Sequence, residues 1–356
     1  MNPKTKILKK LRETKGFVSG QSLCEELEVS RTAVWKNINQ LKEEGYEIES
    51  VTNRGYHLNR IPDVLTKEEL ESIMLTDKLA RNIVYREVVG STNNEAKKYV
   101  EQHPAANGQE SWDGTLFIAE QQNEGKGRRG RNWISPKGSG IWMSLLLKPD
   151  INPANASMLT LVSAMAIARG IQKTVAEKSL QEESQDTDRD HAHSVEDEMQ
   201  IGIKWPNDIV VNGRKVCGIL TEMGSEMDYI NYVVVGMGIN VNTEDFPQEV
   251  KEIATSLRLE TGEHIKRSEL VAEIMFYYEA YYRKFLKTED LSLLIDEYNE
   301  LLINAGREVR VIEQDTETVG IAGGIDKEGC LLVKCGEQTR KIRSGEVSVR
   351  GLYGYV

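Results

Sequence analysis

Read from its sequence, this 356-residue chain is an α+β protein in three parts. Over residues 1–61 the apolar period changes from helical to alternating, which gives helices followed by a hairpin. Residues 66–304 interleave apolar strands with long helical runs, the mark of a mixed α/β body. Residues 305–356 carry short strands and glycine turns, the pattern of a small β-barrel. Hydrophobic residues make up 39% and charged residues 28%, a globular balance with enough length for two or three domains.

In the first part, Ile7, Leu8 and Leu11 mark one helix, and Ser19-Gly20 breaks the pattern. Gln21 to Leu27 forms a second helix, Glu28-Val29 a tight turn, and Ser30 the N-cap of a third helix reaching about Glu43. Val34, Ile38 and Leu41 give that helix its buried face, and Trp35 is expected to pack within the module. Gly45 ends it. Tyr46–Val51, the turn Thr52-Asn53-Arg54-Gly55 and Tyr56–Leu58 make the hairpin. This is a winged helix-turn-helix pattern. Ser30, Arg31, Thr32, Lys36, Asn37 and Asn39 lie on or near the outer side of the third helix, and Arg54 sits at the hairpin tip, so DNA is the favoured partner. A protein-only interaction module is the alternative.

Pro62 begins a linker, and Thr66 with Glu69 forms a capping box. Leu116–Ala119 and Ile141–Leu147 read as strands, Met158 to Val175 as a long apolar helix, and Ile209–Val216 as a hairpin. Val233–Asn240 is a buried strand, and residues 268–304 hold two helical stretches. In the last part, Gly323-Gly324 and Asp326–Gly329 are read as turns. Residues 181–200 carry eight acidic residues and one arginine with few apolar side chains, so they read as an acidic, disordered insertion.

The net charge of −11 is uneven: residues 1–61 hold eleven Lys/Arg against eight Asp/Glu. A basic module on an acidic body permits nucleic-acid binding by the small part alone. No apolar run looks long enough to span a membrane, and Met1-Asn2-Pro3-Lys4 opens no signal peptide. Cys24, Cys217, Cys330 and Cys335 are scattered, as for reduced thiols. The expectation is a cytoplasmic protein with no membrane partner. The five histidines lack the spacing of a zinc site.

The strongest chemical signal is Gly125-Lys126-Gly127-Arg128-Arg129-Gly130-Arg131. Three glycines let backbone N–H groups approach an anion and four cations supply charge, but the closing Lys-Ser/Thr of a P-loop is missing. The four cations repel one another, so the loop should be mobile when empty and ordered by a bound anion. A solvated surface loop or a nucleic-acid contact is the plain alternative. Lys204-Trp205-Pro206-Asn207-Asp208 follows some eighty residues later and offers a cation at a strand end. Ser91-Thr92-Asn93 reads as a helix N-cap with hydroxyls and an amide able to bind a small polar ligand. Gly236-Met237-Gly238 is only a fragment of a dinucleotide fingerprint.

With these motifs together, the chain resembles the bifunctional biotin–protein ligases that also repress the biotin operon. The landmarks are Ser30–Trp35, Ser91–Asn93, Glu120-Gln121-Gln122, the glycine-rich loop, Lys204–Asp208, Lys215–Leu220, Gly236–Asn240 and Gly345–Ser348, in the family's order. The resemblance implies a central ligase domain, an SH3-like C-terminal barrel and a two-step reaction. The biotin carboxylate attacks the α-phosphate of ATP, with Mg²⁺, and an acceptor lysine then attacks the biotinyl-adenylate. It implies biotin binding by Ser91, Thr92, Asn93, Gln122, Lys126, Gly127, Arg128 and Lys204. It implies ATP and adenylate contacts from Arg131, Trp133, Asn207, Asp208, Asn240 and Arg350. Lys204 and Arg128 are the implied catalytic pair. The partners implied are a biotin carboxyl carrier protein, operator DNA, and a second copy of the chain when biotinyl-adenylate accumulates as corepressor. The chain departs from the family at Lys126, where arginine is usual, and in its 181–200 insertion. A lipoate-type ligase and a DNA-binding sensor without catalysis are the competing readings.

Overall fold

The computed structural model describes residues 1–103, 112–183, 199–226, 228–313, 316–344, 348–351 and 355. Three helices open the chain: α1 (Pro3–Glu13), α2 (Gly20–Leu27) and α3 (Arg31–Glu43). Side chains cap each one, because a helix start leaves backbone N–H groups unpaired: Asn2 accepts from Thr5 N, Ser19 from Ser22 N and Ser30 from Ala33 N. Ile7, Leu8, Leu11, Leu23, Val34, Ile38 and Leu41 close a small core. The wing, β1 (Glu47–Val51) against β2 (Gly55–Arg60), is antiparallel. Gly55 is required there, since a Cβ would lie 2.0 Å from the Val18 carbonyl oxygen and φ is +106°. Trp35 departs from expectation: it is 60% exposed. With about 100° of turn per residue, Val34, Ile38 and Leu41 take the inward face and carry Trp35 off it.

A seven-stranded sheet forms the centre, in the order β3-β4-β5-β9-β8-β7-β6. Its members are β3 (Ile83–Val89), β4 (Thr115–Gln122), β5 (Gly140–Leu147), β6 (Ile201–Lys204), β7 (Asp208–Val211), β8 (Arg214–Ser225) and β9 (Ile230–Asn240). Only β3 and β4 run parallel; the other pairs are antiparallel. Before and among the strands come α4 (Lys67–Ile73), α5 (Thr92–Gln102) and α6 (Leu159–Glu183). After them come α7 (Leu257–Thr261), α8 (Arg267–Thr288) and α9 (Ile295–Leu301). The main core joins the sheet to α6 and α8 through Val162, Met165, Ile171, Ile274, Tyr278 and Phe285. Ala96 of α5 lies in a second cluster with Trp112, Phe117, Leu146 and Val234. By length and composition Pro153–Lys178 could cross a membrane, against the expectation that no run would pass that test, but most of it is buried here. Residues 181–183 extend α6, so helix replaces the start of the expected insertion, and residues 184–198 lie outside the described residues.

The last part is a five-stranded antiparallel sheet in the order β13-β12-β11-β10-β14. Its strands are β10 (Glu308–Glu313), β11 (Thr316–Ile325), β12 (Leu331–Cys335), β13 (Gln338–Ile342) and β14 (Ser348–Gly351). Gly323-Gly324 is a register shift inside β11 rather than a turn. Glycine is needed because a Cβ on Gly324 would lie 2.8 Å from the Asn299 amide. Asp326–Gly329 does turn, closed by Gly329 N donating to the Asp326 carbonyl at 2.9 Å.

Buried charge ties the winged helix to the centre. Thr66 caps α4 as expected, but Glu69 makes no return bond to it. Glu69 is instead fully buried, accepting from Arg12, from Tyr46 Oη at 2.6 Å and from Ser268 Oγ at 2.9 Å. Arg267, 1% exposed, donates to Asp63 Oδ2 in the linker at 3.0 Å and to Glu120 Oε2 on β4 at 2.7 Å. Burial opposes the Arg267 charge, yet Asp63 and Glu120 more than offset it and hold its pKa above the ordinary value. Removing one partner of such a pair strands the other. Glu69→Gln should cost about 3–5 kcal/mol in urea unfolding. A loss below about 1 kcal/mol would contradict this reading of the latch.

Candidate active site

The glycine-rich loop is a tight hairpin after β4. Gly127 N donates to the Arg131 carbonyl at 2.7 Å and Trp133 N to the Gly125 carbonyl at 2.8 Å. A Cβ on Gly125 would meet the Trp133 carbonyl oxygen at 2.2 Å, so only glycine lets the two arms close. Arg128–Gly130 is one 3₁₀ turn with Arg129 in the left-handed region, φ 58°. Arg128 Nη1 donates to Asn207 Oδ1 at 2.8 Å, which joins the loop to the Lys204–Asp208 segment. Burial draws the Arg128 pKa below its ordinary value, while Asp208 opposes that shift.

Behind the loop lies a narrow pocket of about 50 Å³, lined by Ser91, Thr92, Asn93, Gln122, Lys126, Gly127 and Arg128. Ser91 stands at the N-cap of α5, but its hydroxyl makes no cap bond. Gln122 Oε1 accepts from Thr92 N at 2.9 Å, and Gln122 Nε2 donates to Ser135 Oγ at 2.9 Å. Asn93 Nδ2 donates to Glu222 Oε2 at 2.7 Å while its Oδ1 accepts from Ser144 Oγ at 2.6 Å. Gly236 passes so close that a Cβ would lie 2.3 Å from Asn93 Oδ1. Glu222 is clamped on its other oxygen by Lys97 Nζ at 2.9 Å. Burial works against its charge, but the bonds from Lys97 and Asn93 hold its pKa below the usual carboxylate value.

A second cavity, about 750 Å³, shares Gly127, Arg128, Trp133, Asn207 and Lys215 with the narrow pocket. Arg131, Lys204, Asn207, Asp208, Asn240 and Arg350 line it. The Trp133 indole seats between Gly218 and Gly238, where a Cβ would meet it at 2.9 and 2.6 Å. Its Nε1 is buried and finds no acceptor among the described residues. Asn240 Nδ2 donates to the Thr255 carbonyl at 3.1 Å. Lys204, at the end of β6, is 6% exposed. Burial pushes its pKa down to about 8; Asp208 opposes the shift, and Lys215, Arg350 and Arg131 add to it. Lys215 Nζ pairs with Asp208 Oδ1 at 2.6 Å.

The two lined spaces therefore gather all the residues that the resemblance assigns to biotin, ATP and catalysis. Lys126 lies at the rim of the narrow pocket, donating to Asn94 Oδ1 at 3.3 Å. Three residues were missed. Lys215 fell within a recognised landmark but read as a hairpin residue. Glu222 lies two residues beyond the Lys215–Leu220 landmark and was not singled out. Tyr355 carried no spacing signal, yet its ring centroid lies 3.4 Å from Lys204 Nζ. The Gly345–Val347 part of the last landmark lies outside the described residues.

On the winged helix, Ser30, Arg31, Thr32, Lys36 and Arg54 are exposed and Asn39 is half-buried. Arg31 Nη2 donates to Gln21 Oε1 at 2.7 Å, and Arg54 lies 4.2 Å from the Phe17 ring centroid. Asn37 is half-buried and donates to the Ala33 carbonyl at 2.8 Å.

A helix-turn-helix module joined to a mixed sheet with a cation-lined cavity is the architecture of a DNA-binding arm on an anion-binding domain, and the family matches make that domain a ligase. Matching family descriptions are "HTH domain" over residues 4–57, "Biotin/lipoate A/B protein ligase family" over 86–240 and "Biotin protein ligase C terminal domain" over 305–350. The bifunctional ligase/repressor BirA of Bacillus spizizenii is 37% identical, with 94% of each chain covered. Its Escherichia coli counterpart is 29% identical over 94% of this chain and 93% of its own. The biotin protein ligase from Aquifex aeolicus in complex with biotin and ATP has a TM-score of 0.58 at 26% identity, covering 76% of this chain and 99% of its own. The chain belongs to the bifunctional biotin–protein ligase and repressor family.

The Lys204 shift makes a pH prediction. Its folded pKa of about 8 lies below the ordinary 10.5, so between these values the folded protein sheds a proton that the unfolded chain keeps. Stability from this group therefore rises with pH across that window, while any work that needs the ammonium is lost. For biotinyl-adenylate formation, kcat/KM should fall on the alkaline side with an apparent pKa of about 8. A flat profile to pH 10 would contradict the need for the charged lysine.

Proposed function

We infer that this chain activates biotin with ATP, transfers it to a protein lysine and represses biotin genes through its winged helix. One observation carries the catalytic half: buried Lys204 lines the cation-lined cavity, and Arg128, Trp133, Asn207 and Lys215 line both that cavity and the narrow polar pocket. In the first step a biotin carboxylate oxygen attacks the α-phosphorus, and pyrophosphate leaves. In the second, an acceptor lysine amine attacks the acyl carbon, and AMP leaves.

Thr92, Asn93 and Gln122, already oriented by their own hydrogen bonds, fit the neutral ring system and its polar edge, with Ser91, Gly127 and Lys126 beside them in the same lining. Lys204 fits the two anionic oxygens that must approach each other, where a buried ammonium counters charge more strongly than water does. Arg128 and the hairpin loop fit a cover over the mixed anhydride, excluding water that would hydrolyse it. The Trp133 indole, Arg131, Asn207, Asp208, Asn240 and Arg350 fit the nucleotide side. The residues around Lys204 do not suit a protein-held divalent ion. Asp208 is engaged on one oxygen by Lys215 and on the other by Tyr355, and the surrounding groups are cations. Mg²⁺ is assigned to the phosphates of the nucleotide itself.

A biotin carboxyl carrier protein is the proposed acceptor and the cytoplasm the proposed location. For repression, Arg31, Thr32, Lys36 and Arg54 present exposed donors to a duplex, and Ser30 caps the helix that carries most of them. A dimer formed when biotinyl-adenylate accumulates would match a palindromic operator. The two halves should separate by mutation. Lys204→Ala should lower carrier biotinylation about a hundredfold or more and leave DNA affinity at the wild-type level when both proteins are measured without biotin and ATP, so without adenylate. Arg31→Ala with Lys36→Ala should weaken operator binding, with the salt slope reduced by about four for a dimer that loses two cations from each copy, and leave biotinylation in place. Loss of both activities in either variant, with the fold intact, would overturn this division of labour.

A further inference from the structure

The C-terminal domain reaches Lys204 through Tyr355, to which the reading above gives no part in the chemistry. Lys204 ends in four rotatable bonds, and a buried ammonium on such a stem needs partners to hold it in one place. Among the described residues no hydrogen-bond or ion-pair partner reaches its Nζ. Its close contact is the face of Tyr355, 3.4 Å from Nζ to the ring centroid. The Tyr355 hydroxyl donates to Asp208 Oδ2 at 2.6 Å, and Asp208 Oδ1 pairs with Lys215 Nζ at 2.6 Å. The ring is thereby anchored at its polar edge and stacked on the lysine by its face.

An aromatic face suits this place for a physical reason. It attracts a cation through its quadrupole, and it offers no lone pair that would occupy the N–H donors. A carboxylate there would hold Lys204 as firmly but would spend those donors and compete with a phosphate or a carboxylate substrate. Asp208 meets that difficulty by pairing with Lys215 and Tyr355 instead. The ammonium is therefore held while no lone pair claims its N–H donors, which stay available to incoming oxygens.

We propose that Tyr355 is a positioning residue for Lys204: its anchored ring fixes the ammonium where the attacking carboxylate and the α-phosphate meet. The proposal deepens the ligase reading and rests on it. It also means that the catalytic lysine is set by two domains, β6 of the central sheet and the far end of the C-terminal one.

The test compares the full-length chain with Tyr355→Ala, Tyr355→Leu and Tyr355→Phe. Each variant is first required to keep the wild-type melting temperature. Biotinyl-adenylate formation is then resolved into kcat and KM for ATP. Ala and Leu should lower kcat about tenfold or more with KM for ATP changed by less than about threefold, and Phe, which keeps the ring but loses its anchor to Asp208, should recover part of that loss. Leu matching Phe would reduce the ring to packing and overturn the proposal. A change in KM alone would make Tyr355 a nucleotide contact, and an unchanged or raised kcat in Tyr355→Ala would mean the ring stands in the way; both overturn it. A wild-type protein that forms no adenylate from biotin would sink the ligase reading itself, and the proposal with it.

Discussion

Everything around Lys204 follows from the cost of putting an ammonium into a buried place already rich in cations. Burial, Lys215, Arg350 and Arg131 all press against its charge, and Asp208 opposes them. An empty site built this way is electrostatically uncomfortable, which is the condition under which anionic ligands bind best. The glycine-rich hairpin adds to the same imbalance. Its closure depends on Gly125, which lets the two arms touch, and on the Arg128–Asn207 bond, which ties it to the lysine segment. The narrow pocket beside it is different in kind. There the polar groups satisfy one another, through Thr92–Gln122–Ser135 and Ser144–Asn93–Glu222. One space suits a largely neutral ring system and the other an anion, and Trp133 lines both.

The winged helix and the central part of the chain are joined by buried charge rather than by apolar contact alone. Glu69 collects donors from α1, from Tyr46 ahead of the wing and from α8. Arg267 sits next to Ser268 in that helix and grips both the linker and Glu120. Glu120 is two residues from Gln122, which orients Thr92 in the narrow pocket. The DNA-binding module and the small-ligand pocket are thus mounted on adjacent residues of one helix and one strand. That continuity is a physical contact path from the winged helix to the narrow pocket.

Much of this was legible in the sequence, and the reasons differ by element. The winged helix could be read because its caps and apolar spacing are local signals: Asn2, Ser19 and Ser30 all cap as their residue types favour. The loop and the Lys204 segment could be read because clustered cations among glycines are rare and costly without a ligand. What escaped depended on long-range contact. Trp35 looked like a core residue by type, but its angle on α3 turns it outward. Glu69 looked like a capping acid, but α8 and α1 claimed it. Gly323-Gly324 looked like a turn because only the neighbouring Asn299 shows why glycine is needed inside a strand. Tyr355 lies far in sequence from Lys204 and Asp208, and no spacing rule connects them.

The central claim is that two anions, a biotin carboxylate and an ATP α-phosphate, meet at Lys204. Pyrophosphate exchange into ATP, run on the full chain with biotin and separately with lipoate, tests it most directly. The account predicts exchange that depends on biotin and stays at background with lipoate. Exchange driven by lipoate, or none with either acid from folded protein that still binds biotin, would contradict it.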